Sequence, residues 1–423
     1  MNTKVLPLLA LIIPMTWVGC IEKKIVTADS NQGLEQWLAK PISEREPLEN
    51  MDFAAAPLSK EQAERFTDRL FRDHQQQVLR TYQQQWDSRE LQLDGLNMPF
   101  YYQVVGDAPA DGRSLYLSLH GGGNTRPEAN DRQYDNQKHL YDQTLQGMEG
   151  VYLAPRAPTN TWNLWHEAHI DDFFTTLIQL AVALENVNPN KVYLLGYSAG
   201  GDGVYQLAPR MADRWAAAAM MAGHPNETSP LGLKNVPFAL HMGALDAAYD
   251  RNSKAREWKL LLDSLENQAP GTYRHQVVLH EGLGHWMKLQ DAVALPWMAT
   301  HRRNPIPEKI VWKQDDRHHR YFYWLGVPEE QIETAGEIHV EYNHKNNEIN
   351  ILSNYSSKLE LLLNDRMLDL DAPITVKYQG KTLAEKRVKR TLLPIYQNLS
   401  HRGDPYLAFP CVLTVIDNER VME

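Results

Sequence analysis

Between Lys191 and Gly203 the chain reads KVYLLGYSAGGDG, and this stretch limits the possible folds more than any other. Val192, Tyr193, Leu194 and Leu195 form a short apolar run of the kind that makes a buried parallel strand, and helical spacing resumes from Val204 to Ala212. The segment reads as strand, sharp turn and helix. Ser198 stands at the turn, inside Gly196-Tyr197-Ser198-Ala199-Gly200. A turn this tight strains the serine backbone and crowds its neighbours, so small residues are needed on either side. The strain holds the hydroxyl out above the sheet, and the helix behind it makes the N–H of Ala199 available to an oxyanion. The alternative is an ordinary βα turn, and five residues alone do not exclude it.

A second motif lies upstream. Leu115–Leu119 reads as a strand that runs into His120-Gly121-Gly122-Gly123-Asn124. Three glycines at a strand end let the backbone come close to a ligand and turn its N–H groups inward. With both motifs in place, about 75 residues apart, the chain resembles the α/β-hydrolase superfamily, particularly its esterase and lipase members and the related prolyl-oligopeptidase-like enzymes. The resemblance runs from roughly Leu96 to Thr300. It implies an α/β fold with a doubly wound, mostly parallel sheet. It also implies a serine hydrolase whose nucleophile is Ser198 and whose oxyanion hole is formed by Gly121, Gly122 and Ala199.

The remaining catalytic positions follow from that pattern. Trp215–Met221 and Val236–Met242 read as two further strands, the second ending in Gly243-Ala244-Leu245-Asp246. Asp246 matches the acid of the family, with Asp250 as the alternative. His275–Leu279 reads as the last strand, followed by the loop Glu281-Gly282-Leu283-Gly284-His285-Trp286. Loops after parallel strands open on the carboxyl edge of the sheet, the edge where Ser198 must also lie, so His285 matches the base. His241, His280 and His301 compete as histidines but suit structural roles; the Gly-Leu-Gly-His context singles out His285. The order Ser198, Asp246, His285 is the one found in the superfamily.

Val151–Ala154 reads as another strand, and the stretch after it, PRAPTNTWNLWHEAH, borders the same edge. Trp162 and Trp165 are either walls of an apolar pocket or packing within that loop, and Trp286 is a third candidate for substrate contact. His166-Glu167-Ala168-His169 does not have the H-E-x-x-H spacing of zinc hydrolases, so no metal ligands are assigned. No cofactor is expected.

At 423 residues the chain is too long for one small core. Its net charge of −10 comes without a basic block, which excludes nucleic acid as an expected partner. Residues 1–20 carry Lys4, an apolar run from Val5 to Val18 broken by Pro7 and Pro14, and then Gly19-Cys20. That is an export signal rather than a membrane span. Its end resembles the lipobox of bacterial lipoproteins, with Trp17 where the family usually has Leu. The resemblance implies acylation of Cys20, an exported enzyme and a lipid-anchored attachment to a membrane. Plain secretion and an uncleaved anchor are the alternatives.

Residues 21–95 are expected to be a tether with one brief helix near Leu34, Trp37 and Leu38, then a long helix opened by a capping box at Ser59. Residues 96–304 form the expected catalytic domain. Residues 305–423 are a linker and a small antiparallel β-sandwich, Ig-like in strand spacing, with runs such as Ile338-Val340-Tyr342, Leu359-Leu361-Leu363 and Cys411–Ile416. This last domain braces the catalytic one or binds a polymer. No exposed aromatic row is evident, which favours bracing.

Two classes of function are compatible with the motifs: a serine hydrolase working through an acyl-enzyme, and a catalytically inactive surface binding protein on the same fold. Within the first, an ester hydrolase acting on a small-molecule or polymer ester is favoured over a peptidase. Only about 95 residues precede the core, too few for the β-propeller with which the peptidases screen substrates by size.

Overall fold

The computed structural model describes residues 30–423, and the segment read from sequence as an export signal, with Cys20, lies outside them. At its centre is an eight-stranded sheet built from β1 (Glu90–Leu93), β2 (Leu96–Val105), β3 (Arg113–Leu119), β4 (Gly150–Pro155), β5 (Val187–Tyr197), β6 (Ala217–Met221), β7 (Phe238–Gly243) and β8 (His275–His280). The order across the sheet is β1-β2-β4-β3-β5-β6-β7-β8. β1 and β2 form an antiparallel hairpin, β2 lies antiparallel to β4, and the strands from β4 to β8 run parallel. Every residue of β4, β6 and β7 is buried, which is why these strands read as unbroken apolar runs.

The helices are α1 (Ser30–Ala39), α2 (Lys60–Ser88), α3 (Pro127–His139), α4 (Asp142–Leu145), α5 (His169–Leu184), α6 (Ala199–Arg210), α7 (Arg251–Gln268), α8 (Ala294–Ala299) and α9 (Leu392–Arg402). Ser59 caps α2 by accepting from Gln62 N–H while the Gln62 side chain accepts from Ser59 N–H, the reciprocal box expected there. Phe66, Leu70, Val78 and Trp86 are the buried face of this helix.

The N-terminal segment is not a loose tether. Leu34, Trp37, Leu48, Phe53 and Leu58 are buried in a second core with Phe66 and Leu70 of α2 and with Leu392, Ile395 and Leu399 of α9. The hydrolase sheet also begins earlier than residue 96, because β1 pairs residue for residue with β2.

The C-terminal part has two five-stranded sheets. One contains β10 (Tyr321–Phe322), β11 (Leu325–Gly326), β14 (Lys358–Leu363), β17 (Cys411–Ile416) and β18 (Arg420–Met422). The other contains β9 (Lys309–Lys313), β12 (Glu337–Asn343), β13 (Glu348–Asn354), β15 (Ile374–Tyr378) and β16 (Lys381–Lys386). Alternate residues, such as Ile338 and Val340 or Leu413 and Val415, are buried, as a sandwich requires. The sandwich departs from a purely antiparallel design in two ways: β13 and β15 pair in parallel, and α9 is inserted before β17. The cores of the large sheet and of the sandwich form one continuous cluster.

Candidate active site

β5 ends at Tyr197 and α6 begins at Ala199, so Ser198 alone makes the turn. Its φ of 59° and ψ of −120° are unfavourable for a residue with a side chain, by on the order of 1–3 kcal/mol. Neighbouring packing enforces the strain. A Cβ on Gly196 would lie 2.3 Å from Gly200 O, and one on Gly200 would lie 2.2 Å from Leu119 O. Ser198 N–H donates to Met221 O at 2.9 Å and so ties the turn to the end of β6.

His285 faces the serine. Its Nε2 is 3.0 Å from Ser198 Oγ, and its Nδ1 is 2.7 Å from Asp246 Oδ2. With Nδ1–H donating to the carboxylate, Nε2 is left to accept the serine O–H. Asp246 is 3% exposed, whereas the His285 side chain is open to solvent on one side. Tyr197 fixes the loop that carries the imidazole: its hydroxyl donates to His285 O at 2.6 Å and accepts from Met287 N–H at 2.9 Å.

The other sequence candidates are not in this chain of contacts. Asp250 is exposed and starts α7 in a left-handed conformation. His241 and His280 are stacked and hydrogen-bonded to each other at 3.1 Å, and burial lowers His241 to about 3, so it is neutral. The His301 ring packs on Trp297, with centroids 4.6 Å apart.

The glycine loop lies against the serine. A Cβ on Gly121 would be 3.2 Å from Ser198 Cβ. Gly122 has φ +113° and would drive a Cβ to 2.1 Å from Asn130 Oδ1, so the path is open only to glycine. Gly123 N–H donates to Asn130 Oδ1 at 2.9 Å, Asn130 Nδ2 donates to Asn160 Oδ1 at 2.7 Å, and Arg156 Nη2 donates to the same Asn160 oxygen at 2.5 Å. This brace holds Gly121 and Gly122 beside Ser198. On the other side Ala199 is the first residue of α6, whose leading N–H groups have no carbonyl within the helix.

The three tryptophans separate. Trp165 is fully buried and its Nε1 donates to His120 O at 2.8 Å, so it is packing behind the glycine loop and not a pocket wall. Trp162 is exposed and meets the Tyr249 ring, with centroids 5.6 Å apart. Trp286 is exposed and lines a cavity of about 930 Å³ together with Gly121, Gly122, Ser198, Gln133 and Leu289.

Two charged residues of this site were not anticipated from sequence. Asp202, in the first turn of α6, is 4% exposed and accepts from His224 N–H at 2.6 Å. Burial pushes its carboxyl up to about 6, against the pull of the His224 N–H and the Arg251 charge. Arg251 is also buried, and its Nη1 lies 3.9 Å from Asp246 Oδ1. An aspartate among the small residues of GYSAGGD was the one signal for the first; Arg251 follows Asp250 at the start of an otherwise ordinary helix and gave none.

No family model matches the chain, and no curated protein matches it. Among solved structures it is similar to a thermostable esterase, with 17% identity and a TM-score of 0.40 over 51% of this chain and 62% of that one. The chain thus spans less than two thirds of that esterase. It is also similar to a poly(3-hydroxybutyrate) depolymerase from Bordetella parapertussis, with 15% identity and a TM-score of 0.39 over 52% and 88% of the two chains. A third likeness is to esterase 2 of Thermogutta terrifontis, with 17% identity and a TM-score of 0.36 over 50% and 89%. On the evidence of its own topology, a parallel sheet extended by an antiparallel hairpin and bearing Ser198, Asp246 and His285 on loops after β5, β7 and β8, this chain has an α/β-hydrolase fold.

Proposed function

We propose that the protein is a serine hydrolase that cleaves carboxylic esters through an acyl-enzyme on Ser198. The observation that carries the reading is His285, whose two ring nitrogens lie within hydrogen-bond distance of Ser198 Oγ and Asp246 Oδ2. Ser198 Oγ attacks the ester carbonyl and its proton passes to His285 Nε2. Asp246 keeps Nδ1 protonated and stabilises the imidazolium. The carbonyl oxygen becomes an oxyanion held by the N–H of Ala199 and those of Gly121 and Gly122. His285 then protonates the departing alcohol, and a water activated by the same imidazole releases the acid and restores the serine.

Ester cleavage is preferred to peptide cleavage in this reading because an alkoxide leaves with less protonation than an amine. Turnover of p-nitrophenyl acetate and butyrate is expected to exceed that of aminoacyl and prolyl anilides in kcat/KM. An anilide preferred over both esters would replace the ester assignment with a peptidase. No measurable turnover of either, with Ser198 inert to acylation, would leave the inactive binding protein as the reading.

Export and lipid anchoring rest on the sequence of residues 1–20. The mature chain is expected to begin at an acylated Cys20 and to partition with membranes, and Cys20→Ser to release it. An intact mass showing an unmodified N-terminus at another residue would rule this out.

A further inference from the structure

Arg251 stands where a cation is costly to hold. It is the first residue of α7, at the helix end whose unpaired N–H groups already carry partial positive charge. It is buried, its Nε has no hydrogen-bond partner, and its Nη1 reaches Ala248 O only at 3.4 Å. The two residues before it, Tyr249 and Asp250, both take left-handed backbone, with φ of 55° and 56°. Neither is glycine, so the turn that leads into Arg251 carries strain. Hydrogen bonds of the guanidinium do not offset these costs.

What meets the guanidinium is carboxylate. Nη1 lies 3.9 Å from Asp246 Oδ1, the oxygen that His285 does not use. That is beyond hydrogen-bond length, so the contact acts through charge. The Arg251 charge also bears on Asp202, which in turn feels the charge of His285. Asn252 N–H donates to Asp246 O at 3.0 Å and Asn252 Nδ2 donates to Ala244 O at 2.9 Å, so the start of α7 is tied to the loop that carries the acid. Of the other charged and titratable neighbours, Tyr249 has its ring centroid 4.8 Å from the guanidinium carbon, Asp250 is exposed, and Lys254 is paired with Glu257. A buried ion pair returns little stability once its desolvation is counted, so stability does not account for the arrangement.

We propose, on the serine-hydrolase reading above, that Arg251 is a positioning residue: its guanidinium offsets the carboxylate charge of Asp246 and Asp202 behind His285, so that the imidazole gives up its proton at a lower pH than those two carboxylates alone would allow. Asp246 must be ionised to keep His285 Nδ1 protonated, yet the same charge stabilises the imidazolium, a form that cannot accept the Ser198 proton. A fixed cation beside Oδ1 weakens the second effect and leaves the Oδ2 hydrogen bond in place. Arg251 acts through Asp246 and not on the substrate.

The test is the pH profile of kcat/KM for p-nitrophenyl acetate, measured on the full chain for the wild type, Arg251→Gln, Arg251→Lys and Asp202→Asn, with Ser198→Ala as the blank. The acid limb, along which the imidazole loses its proton, is expected to move up by about half a pH unit or more in Arg251→Gln. Arg251→Lys keeps the charge, and its limb should stay with that of the wild type whatever happens to its plateau. Asp202→Asn removes a charge of the opposite sign, so its limb should move down, and this arm decides the matter where Arg251→Gln does not fold. A purely structural role would lower the plateau and leave the limb where it is. The proposal is overturned by an unmoved or lowered limb in Arg251→Gln, by an equal upward move in Arg251→Lys, or by an unmoved or raised limb in Asp202→Asn. A wild type whose turnover only matches that of Ser198→Ala would strike the serine-hydrolase reading itself, and this proposal with it.

Discussion

Asp202 carries a charge that the fold holds at some cost. Its carboxylate is buried one turn behind the serine, and burial raises its protonation midpoint from an ordinary value near 3.8 to about 6. A carboxyl raised in the folded state binds its proton more tightly there than in the unfolded chain. Its contribution to stability is therefore fully present below about pH 4 and is lost as pH rises through about 6. A shift of about two units corresponds to on the order of 2–3 kcal/mol between those limits. Asp202→Asn keeps an oxygen for His224 N–H and removes the charge. The melting temperature of Asp202→Asn is thus expected to exceed that of the wild type at pH 8 and to converge with it near pH 4.5. A difference that does not change with pH, or that grows toward acid, would contradict the assignment. At the same scale Ser198, Asp246 and His285 were legible because each sits in a short glycine-bearing context at a strand end. Arg251 and Trp165 were not: an arginine opening a helix and a tryptophan in a loop have no sequence signature that tells burial from exposure.

Elements were legible where burial imposes a simple period. β3, β4, β6 and β7 and the second half of β5 show as apolar runs because the sheet is covered on both faces there, and α2 shows through the spacing of Phe66, Leu70, Val78 and Trp86. β1 and β2 sit at the sheet's end, where Gln92, Asn97 and Gln103 alternate with apolar residues and blur the pattern. The stretch from Pro41 to Leu58 hides its burial differently. Leu48, Phe53 and Leu58 enter the second core one at a time from short turns between prolines, so no periodicity exists to be read, and a tether is what the composition suggests. α9 did carry a signal in Leu392, Ile395 and Leu399, spaced three and four apart, but Pro394 in its first turn argued against a helix. Proline is tolerated there because first-turn N–H groups have no partner within the helix.

At the scale of the whole molecule the sandwich and the catalytic sheet are not independent. Arg303, buried at their junction, donates to Asp213 O at 2.7 Å, pairs with Asp404 at 2.7 Å and donates to Asn190 Oδ1 from Nε and Nη2. Tyr323 OH donates to Ala212 O, and Arg214 Nη1 donates to Arg402 O, across the same boundary. One cooperative unfolding transition is expected by calorimetry. Arg303→Ala should lower stability by about 3–5 kcal/mol, because Asp404 would be left buried without its partner. Two resolved transitions, or an unchanged midpoint in the variant, would show that the two parts stand apart. The assembled frame exists, on this account, to hold one strained serine against one imidazole. The most direct test is the intact mass of the full chain after exposure to a fluorophosphonate. The wild type should gain a single phosphonyl adduct mapping to Ser198, Ser198→Ala should gain none, and His285→Ala should react slower by on the order of 10⁴-fold. Labelling of Ser198→Ala at the wild-type rate, or a wild type that stays unmodified, would contradict the assignment of Ser198 as the nucleophile.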